Sequence, residues 1–299
     1  MKKELGMIGL GRMGLNMAFN LVDHEYRVVG YNRSEAPRTE AAAYAVETTT
    51  SIKKMVDALA SPKVVWLMVT SSVVDEVLSE LVPLLSPGDT IIDGGNSFYK
   101  DSLRRHGELA AKELHFLDVG TSGGMDGARS GASIMIGGTP AVFAKHEHIF
   151  AALAAPSGYA RVGNAGAGHF VKMVHNGIEY GMMGAIAEGM TVLHEHEGAL
   201  GISLQEVLKP YQNESIISSK LVSWLGQAYD EGQITAIEGI VPKGETEEEM
   251  EHITTLGTVK VLEAALAQRR ETRVNPSYLG KLVAAMRNQF GGHSVIKKE

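Results

Sequence analysis

The chain opens with an apolar run, Leu5-Gly6-Met7-Ile8, that passes directly into Gly9-Leu10-Gly11-Arg12-Met13-Gly14. Leu15-Asn16-Met17-Ala18-Phe19-Asn20-Leu21 then continues with helical spacing. A strand, a glycine turn and a helix in that order leave few folds open. Gly9 allows the tight turn, Gly11 lets a pyrophosphate approach the backbone, and Gly14 permits close packing of helix on strand. The helix N-terminus offers an anion free N–H groups and a favourable dipole. Gly9, Gly11, Arg12, Met13 and Gly14 are the first candidate cofactor-binding residues, and a dinucleotide is the expected ligand.

The second apolar run, Tyr26 to Tyr31, ends at Asn32-Arg33-Ser34. An NAD site usually places a carboxylate there for the ribose 2′-hydroxyl. An acid would repel a 2′-phosphate, whereas Arg33 can pair with one and stack on the adenine. Asn32, Arg33 and Ser34 therefore favour NADP, with NAD possible. Strand-like runs recur at Val64–Val69, Thr90–Asp93, Phe116–Val119 and Ser133–Ile136. Helical patterns intervene from Ser72 to Leu85 and from Ser102 to Lys112. This alternation predicts an α/β, Rossmann-type doubly wound sheet forming a dinucleotide-binding domain over residues 1–163.

Ligands of such sheets lie beyond the carboxyl ends of the strands. Val69, the segment Asp93-Gly94-Gly95-Asn96-Ser97 and the segment Gly120-Thr121-Ser122-Gly123-Gly124-Met125-Asp126-Gly127-Ala128 all fall there. Glycine clusters can be simple turns. They can also present backbone N–H groups to a carboxylate or phosphate, so an anionic substrate is expected.

After Val162-Gly163 the patterns are helical only: Ala167–Glu197, Leu204–Lys209, Ile216–Tyr229, Glu247–Arg270 and Gly280–Gln289. An all-helical C-terminal domain over residues 164–299 is expected. On its first helix Lys172, His175, Asn176 and Glu179 fall within an arc of roughly 100°. The apolar flanks Phe170, Val171, Val174, Ile178, Met182 and Met183 predict a buried helix. Buried ionisable groups are costly and tend to be functional.

Composition removes several alternatives. The 299 residues include no cysteine, which excludes disulfides and thiolate chemistry. A net charge of −7 argues against nucleic acid as partner. No apolar stretch suits a bilayer and the first residues offer no signal peptide, so a cytoplasmic enzyme is expected. His146-Glu147-His148 and His194-Glu195-His196 lack the i,i+4 spacing of a helical zinc site. They are read as solvated histidines, and no metal is expected.

Four segments together resemble one family: Gly9-x-Gly11-x-x-Gly14, Asp93 to Ser97, Ser122-Gly123-Gly124-Met125-x-Gly127-Ala128, and Gly168-His169-Phe170-Val171-Lys172-Met173-Val174-His175-Asn176-Gly177-Ile178-Glu179-Tyr180. They look like the short form of decarboxylating 6-phosphogluconate dehydrogenase. The resemblance implies oxidation of 6-phosphogluconate to ribulose 5-phosphate and carbon dioxide with reduction of NAD(P). It makes Lys172 the base and Glu179 the acid. Asn176, His175, Asn96, Ser122, Gly123 and Gly124 would hold the sugar acid. Tyr180, Arg287 and His293 would line its far end, the last two arriving from a partner subunit, so at least a homodimer is implied.

One stretch departs from that pattern. The family carries Gly-Lys-Trp-Thr near residue 245, its lysine on the substrate phosphate; here the chain reads Gly244-Glu245-Thr246-Glu247-Glu248-Glu249. A further phosphate-binding arginine is expected near Gln268-Arg269-Arg270. The acids are either an exposed helix N-terminus, which the dipole favours, or the mark of a paralogue whose substrate bears another C6 group, such as a sulfonate. Two other classes stay in view: a non-catalytic nucleotide sensor, which would not need both Lys172 and Glu179, and a 3-hydroxyacid dehydrogenase without decarboxylation, which would not need Glu179.

Overall fold

The computed structural model describes residues 3–244 and 246–298. Glu245, part of the acidic stretch, lies outside them. The chain divides into two compact units, the first ending at Lys172 and the second beginning at Met173.

The first unit is built on β1 (Glu4–Ile8), β2 (Arg27–Tyr31), β3 (Glu47–Thr49), β4 (Val64–Leu67), β5 (Thr90–Asp93), β6 (His115–Ser122), β7 (Ala132–Gly137) and β8 (Ala154–Gly163). They lie in the order β3-β2-β1-β4-β5-β6-β7-β8. All neighbours run parallel except β6 and β7. The helices are α1 (Arg12–Asp23), α2 (Glu35–Ala43), α3 (Ile52–Ala58), α4 (Val74–Leu81), α5 (Tyr99–Ala110), α6 (Gly124–Ser130) and α7 (Pro140–Leu153). Strand side chains alternate between two apolar layers. Met7, Trp66, Ile92 and Leu117 pack with α1 and α7 residues, while Ile8, Leu67, Ile91 and Phe116 pack with α3 and α4 residues. A sheet covered on both faces needs apolar residues at successive positions, so these strands read as continuous runs. The expected Rossmann-type sheet is present.

The short β3 and the long β8 carry no such run and were not foreseen. β8 reads Ala154-Ala155-Pro156-Ser157-Gly158-Tyr159, at the sheet edge, where proline and glycine are tolerated.

The long helix, α8 (Ala167–Glu195), starts in the first unit and continues into the second. The second unit is otherwise helical: α9 (Glu197–Leu200), α10 (Leu204–Gln212), α11 (Lys220–Asp230), α12 (Gln233–Ala236), α13 (Thr246–Thr254), α14 (Lys260–Glu271) and α15 (Tyr278–Gly291). Two expectations change. The pattern Glu247–Arg270 is two helices, interrupted around Gly257. The pattern from Ile216 becomes helical only at Lys220, where Ser219 caps the helix by accepting from the Val222 N–H.

α8 is also less buried than its composition suggested. Met173, Tyr180, Met183, Ala187 and Met190 are covered, but Phe170, Val174 and Met182 are exposed and Ile178 is 55% exposed. The helix carries more apolar residues than one packed face can absorb. The reading of His146 as solvated is corrected as well. It is buried on α7 with its Nε2 2.8 Å from Thr90 Oγ1, and burial lowers its pKa to about 4. His148 lies 2.7 Å from the Tyr26 hydroxyl. His194 stacks on Tyr278 and His196 is exposed.

Candidate active site

The glycine turn after β1 has the geometry its sequence requires. Gly9 has φ +98°, and a Cβ there would sit 2.3 Å from the Met68 carbonyl oxygen. A Cβ on Gly14 would sit 2.0 Å from the Gly9 oxygen, whereas one on Gly11 would meet nothing within 4 Å. The first and third glycines are thus demanded by packing and the middle one opens on space. Gly11 is the N-cap of α1 and supplies no side-chain cap. A helix N-terminus of this kind suits an anion. A dinucleotide fits this cradle.

Asn32 has a structural part beside its expected one: its Oδ1 accepts the Leu10 N–H at 3.1 Å, fixing the turn. Arg33 and Ser34 are exposed. Arg38, which the sequence reading missed, donates to the carbonyls of Asn32 (2.6 Å) and Arg33 (3.0 Å). It lies one helical turn after the loop, a spacing that makes it legible in retrospect. Arg12 is exposed and Met13 half-buried. Val69 wedges between two motifs: its Cγ1 would be 3.1 Å from a Cβ on Gly9 and its carbonyl oxygen 2.6 Å from one on Gly95.

The segment after β5 is held from within. Asp93 accepts from the Gly95 N–H at 3.2 Å and the Ser97 hydroxyl at 2.8 Å, and Gly94 N–H donates to Leu67. The N–H groups of Gly94 and Gly95 are thus used by Leu67 and Asp93. Arg105, 2% exposed, bridges Asp93 and Asp75 behind it. Half-buried Asn96 stands on this braced loop. The other segment is different: Ser122 ends β6, Gly123 (φ +120°) caps α6 without a side chain, and Gly124 begins the helix.

The start of α8 is fixed onto the sheet. Asp118 of β6 is fully buried and accepts from the Gly166 N–H (2.7 Å) and the His169 N–H (3.0 Å), capping the helix. A Cβ on Gly168 would lie 2.3 Å from the Asp118 backbone carbonyl oxygen, so only glycine permits the approach. One turn later Lys172 crosses β6 at Gly120, where an added Cβ would stand 2.4 Å from the Lys172 Cβ. His169, also buried, lies with Nδ1 2.7 Å from Ser102 Oγ and Nε2 3.1 Å from the Gly95 carbonyl. Its imidazole ties the helix bearing Lys172 to the loop bearing Asn96.

The second unit holds the remaining polar residues of α8. His175 Nδ1 is 3.9 Å from Glu179 Oε2. Asn176 is 5% exposed and donates to Glu249 of α13 at 3.0 Å. Tyr180 is buried, its hydroxyl 2.6 Å from Thr246 Oγ1, and the Arg269 guanidinium lies 3.2 Å from its ring centroid. Arg287 on α15 is buried and donates to the Pro242 carbonyl at 3.0 Å. His293 is exposed against Phe290.

The acidic stretch is not the exposed helix end that one expectation described. Glu248 is exposed, but Glu247 is buried and bonded to Arg273 (2.8 and 2.9 Å) and Arg270 (3.1 Å). Arg273, then Arg270, hold its carboxyl below the usual range. Arg269 and Arg287 contact neutral groups instead, the Met183 sulfur and Tyr180 ring for one and a carbonyl for the other. Burial pushes Arg269 down to about 10 and lowers Arg287 too. Two desolvated cations of this kind gain from an anion. No cluster of three potential metal ligands occurs among the described residues, and none of the described helices is long and apolar enough to cross a membrane.

A nucleotide-binding sheet joined by one long helix to a helical unit, with a lysine seated on the sheet, defines a dinucleotide-dependent dehydrogenase. The family profile "NAD binding domain of 6-phosphogluconate dehydrogenase" matches residues 4–173, and "6-phosphogluconate dehydrogenase, C-terminal domain" matches residues 168–226. The chain belongs to the 6-phosphogluconate dehydrogenase family and is an NAD(P)-dependent oxidoreductase. It is 41% identical to a Bacillus subtilis protein (YqeC) that carries this enzyme's name provisionally, over 99% of this chain and 100% of that one. It is 35% identical to the NAD(+)-dependent, decarboxylating 6-phosphogluconate dehydrogenase of Haloferax volcanii over 99% of both. Among solved structures, the Plasmodium falciparum 6-phosphogluconate dehydrogenase, studied with NADP+ and with 6-phosphogluconate, superposes with TM-score 0.80 at 30% identity, covering 91% of this chain and 63% of that one. Mycobacterium tuberculosis 3-hydroxyisobutyrate dehydrogenase shares the fold, with TM-score 0.74 at 20% identity over 96% of this chain and all of that one.

Proposed function

We propose that the protein oxidises and decarboxylates 6-phosphogluconate to ribulose 5-phosphate, with NADP preferred over NAD. The observation that carries the reaction class is α8, on which Lys172, Asn176 and Glu179 occupy successive turns of one face. Bound oxidised nicotinamide supplies the acceptor for the hydride leaving C3. Lys172, neutral at that moment, takes the proton of the C3 hydroxyl. The resulting 3-keto acid loses carbon dioxide because its ketone accepts the electron pair. Lys172, now an ammonium, stabilises the enolate. Glu179 then protonates C1. Asn176, His175, Asn96 and the Ser122-Gly123-Gly124 turn hold the sugar acid meanwhile.

Charge supports a phosphate at the far end. The Glu247 carboxylate is bonded to Arg270 and Arg273, while the Arg269 and Arg287 guanidiniums are buried near Tyr180 and feel the Glu247 and Glu179 charges. Two buried cations suit a dianion. The Glu247 charge close by keeps a second reading in play, an aldonate with a sulfonate or carboxylate at C6. The exposed Val174, Ile178 and Met182 on α8 support a homodimer. Arg33 and the absence of an acid at residues 32–34 support the NADP preference.

The test is a panel of gluconates bearing phosphate, sulfonate, carboxylate or hydroxyl at C6, each with NADP and NAD, followed by NADPH absorbance and carbon dioxide release. Equimolar NADPH and carbon dioxide from 6-phosphogluconate, at the highest kcat/KM, is expected. Reduction without carbon dioxide would reject decarboxylation, and preference for another C6 group would reject the phosphate.

A further inference from the structure

Glu249 faces the reacting segment of α8 although the dipole of α13 gives it no reason to turn inward. Its Oε2 accepts from Nδ2 of Asn176, itself 5% exposed, at 3.0 Å. An amide has nearly the same shape in its two flipped orientations, and its neighbours decide between them. A carboxylate only accepts hydrogen bonds, so the Asn176 NH2 must point at α13 and its Oδ1 must point away.

The turn that carries Glu249 is firmly held. Glu247 is clasped by Arg270 of α14 and by Arg273 in the turn that follows it, while Met250 and Ile253 are buried. α13 and α14 also close on α8 at Gly177, where an added Cβ would stand 3.1 Å from Ile253 and 2.6 Å from Leu262. Thr246 engages the Tyr180 hydroxyl at 2.6 Å, one turn along α8 from Asn176. α13 thus grips the polar groups of two successive turns.

We infer that Glu249 is a positioning residue that locks the Asn176 amide in one orientation and so sets the reaction site to read a substrate hydroxyl through Asn176 Oδ1. This rests on the function proposed above and narrows it to acids with a free hydroxyl next to the reacting carbons. It also gives the acidic stretch a purpose: one acid braces the turn and another aims an amide.

Glu249→Gln keeps size but can donate or accept, which frees the flip; Glu249→Ala removes the partner. With 6-phosphogluconate, Glu249→Gln should raise KM several-fold and lower kcat, with Tm and the NADP dissociation constant unchanged. Discrimination against the 2-deoxy and 4-deoxy analogues should fall about tenfold for whichever lacks the hydroxyl that is read. Unchanged KM and unchanged discrimination in both variants would overturn the inference. A separate measurement does not depend on turnover. Side-chain amide NMR of the wild type should show a downfield Asn176 Nδ2 proton that disappears in Glu249→Ala, and its absence from the wild type overturns the lock. A wild type that shows this proton but ignores every aldonate would instead sink the proposed function.

Discussion

His169 Nε2 lies 3.1 Å from the Gly95 carbonyl oxygen. A carbonyl cannot donate, so this nitrogen carries a proton, while Nδ1 lies 2.7 Å from the Ser102 hydroxyl oxygen. The ring thereby bridges the start of α8 to the loop that carries Asn96.

Replacing His169 with Leu should lower kcat with 6-phosphogluconate by on the order of 10²-fold, because a small misplacement of Lys172 or Asn96 is costly. His169→Gln, which can still donate to Gly95, should recover part of that loss. Binding of NADP, measured by protein fluorescence, should be unchanged in both variants. Equal kcat in the two variants would reject the bridging role.

Gly120 is the point where β6 meets Lys172, and Gly120→Ala places a methyl 2.4 Å from the lysine Cβ. Either the lysine or the strand must shift. Steady-state kinetics should show kcat reduced by roughly 10²-fold, with the far-ultraviolet circular dichroism of the wild type. A fully active Gly120→Ala enzyme would exclude Lys172 as the base in this position.

Arg33 is the cation expected to meet the 2′-phosphate, on a loop whose carbonyls Arg38 holds. Arg33→Ala should raise KM for NADP by about ten- to a hundredfold, the range of a charge-assisted bond worth ~1.5–3 kcal/mol. KM for NAD should change little. A parallel rise for both cofactors would place Arg33 elsewhere than at the 2′ position.

His146 predicts a pH dependence remote from the chemistry. Its folded-state pKa, about 4, lies below the ordinary imidazole value of 6.5. Both states are neutral above pH 6.5, so the full stability is present there. As pH falls from 6.5 toward 4 the unfolded chain binds a proton that the folded protein refuses, and stability declines, by roughly 3 kcal/mol at most. Urea titrations between pH 4 and 7.5 should give a shallower decline for His146→Gln than for the wild type. Identical slopes would exclude this origin.

The sheet was legible because parallel strands covered on both faces must be apolar at consecutive positions, as in Leu5–Ile8 and Val64–Leu67. β8 was not, since an edge strand with Pro156 and Gly158 lacks that constraint. The glycine turn was legible to the residue, because Gly9 and Gly14 answer to local sterics. The partners of α8 were not. Asn176–Glu249 and Tyr180–Thr246 join α8 to α13 across 73 and 66 positions, and the Glu247 clasp joins α13 to Arg270 and Arg273 across 23 and 26; nothing in helical periodicity encodes them. Likewise His146 repeats a pattern typical of a wet surface, and only the placement of α7 on the sheet buries it.

The boundary between the compact units falls immediately after Lys172, inside a continuous helix. The glycine turn, Asn96, Ser122 and Lys172 belong to one compact unit, and Glu179, Tyr180, Arg269 and Arg287 to the other. Recombination at residue 173 would exchange the groups assigned to the sugar's tail and to carbon protonation, while the oxidising machinery passed on intact.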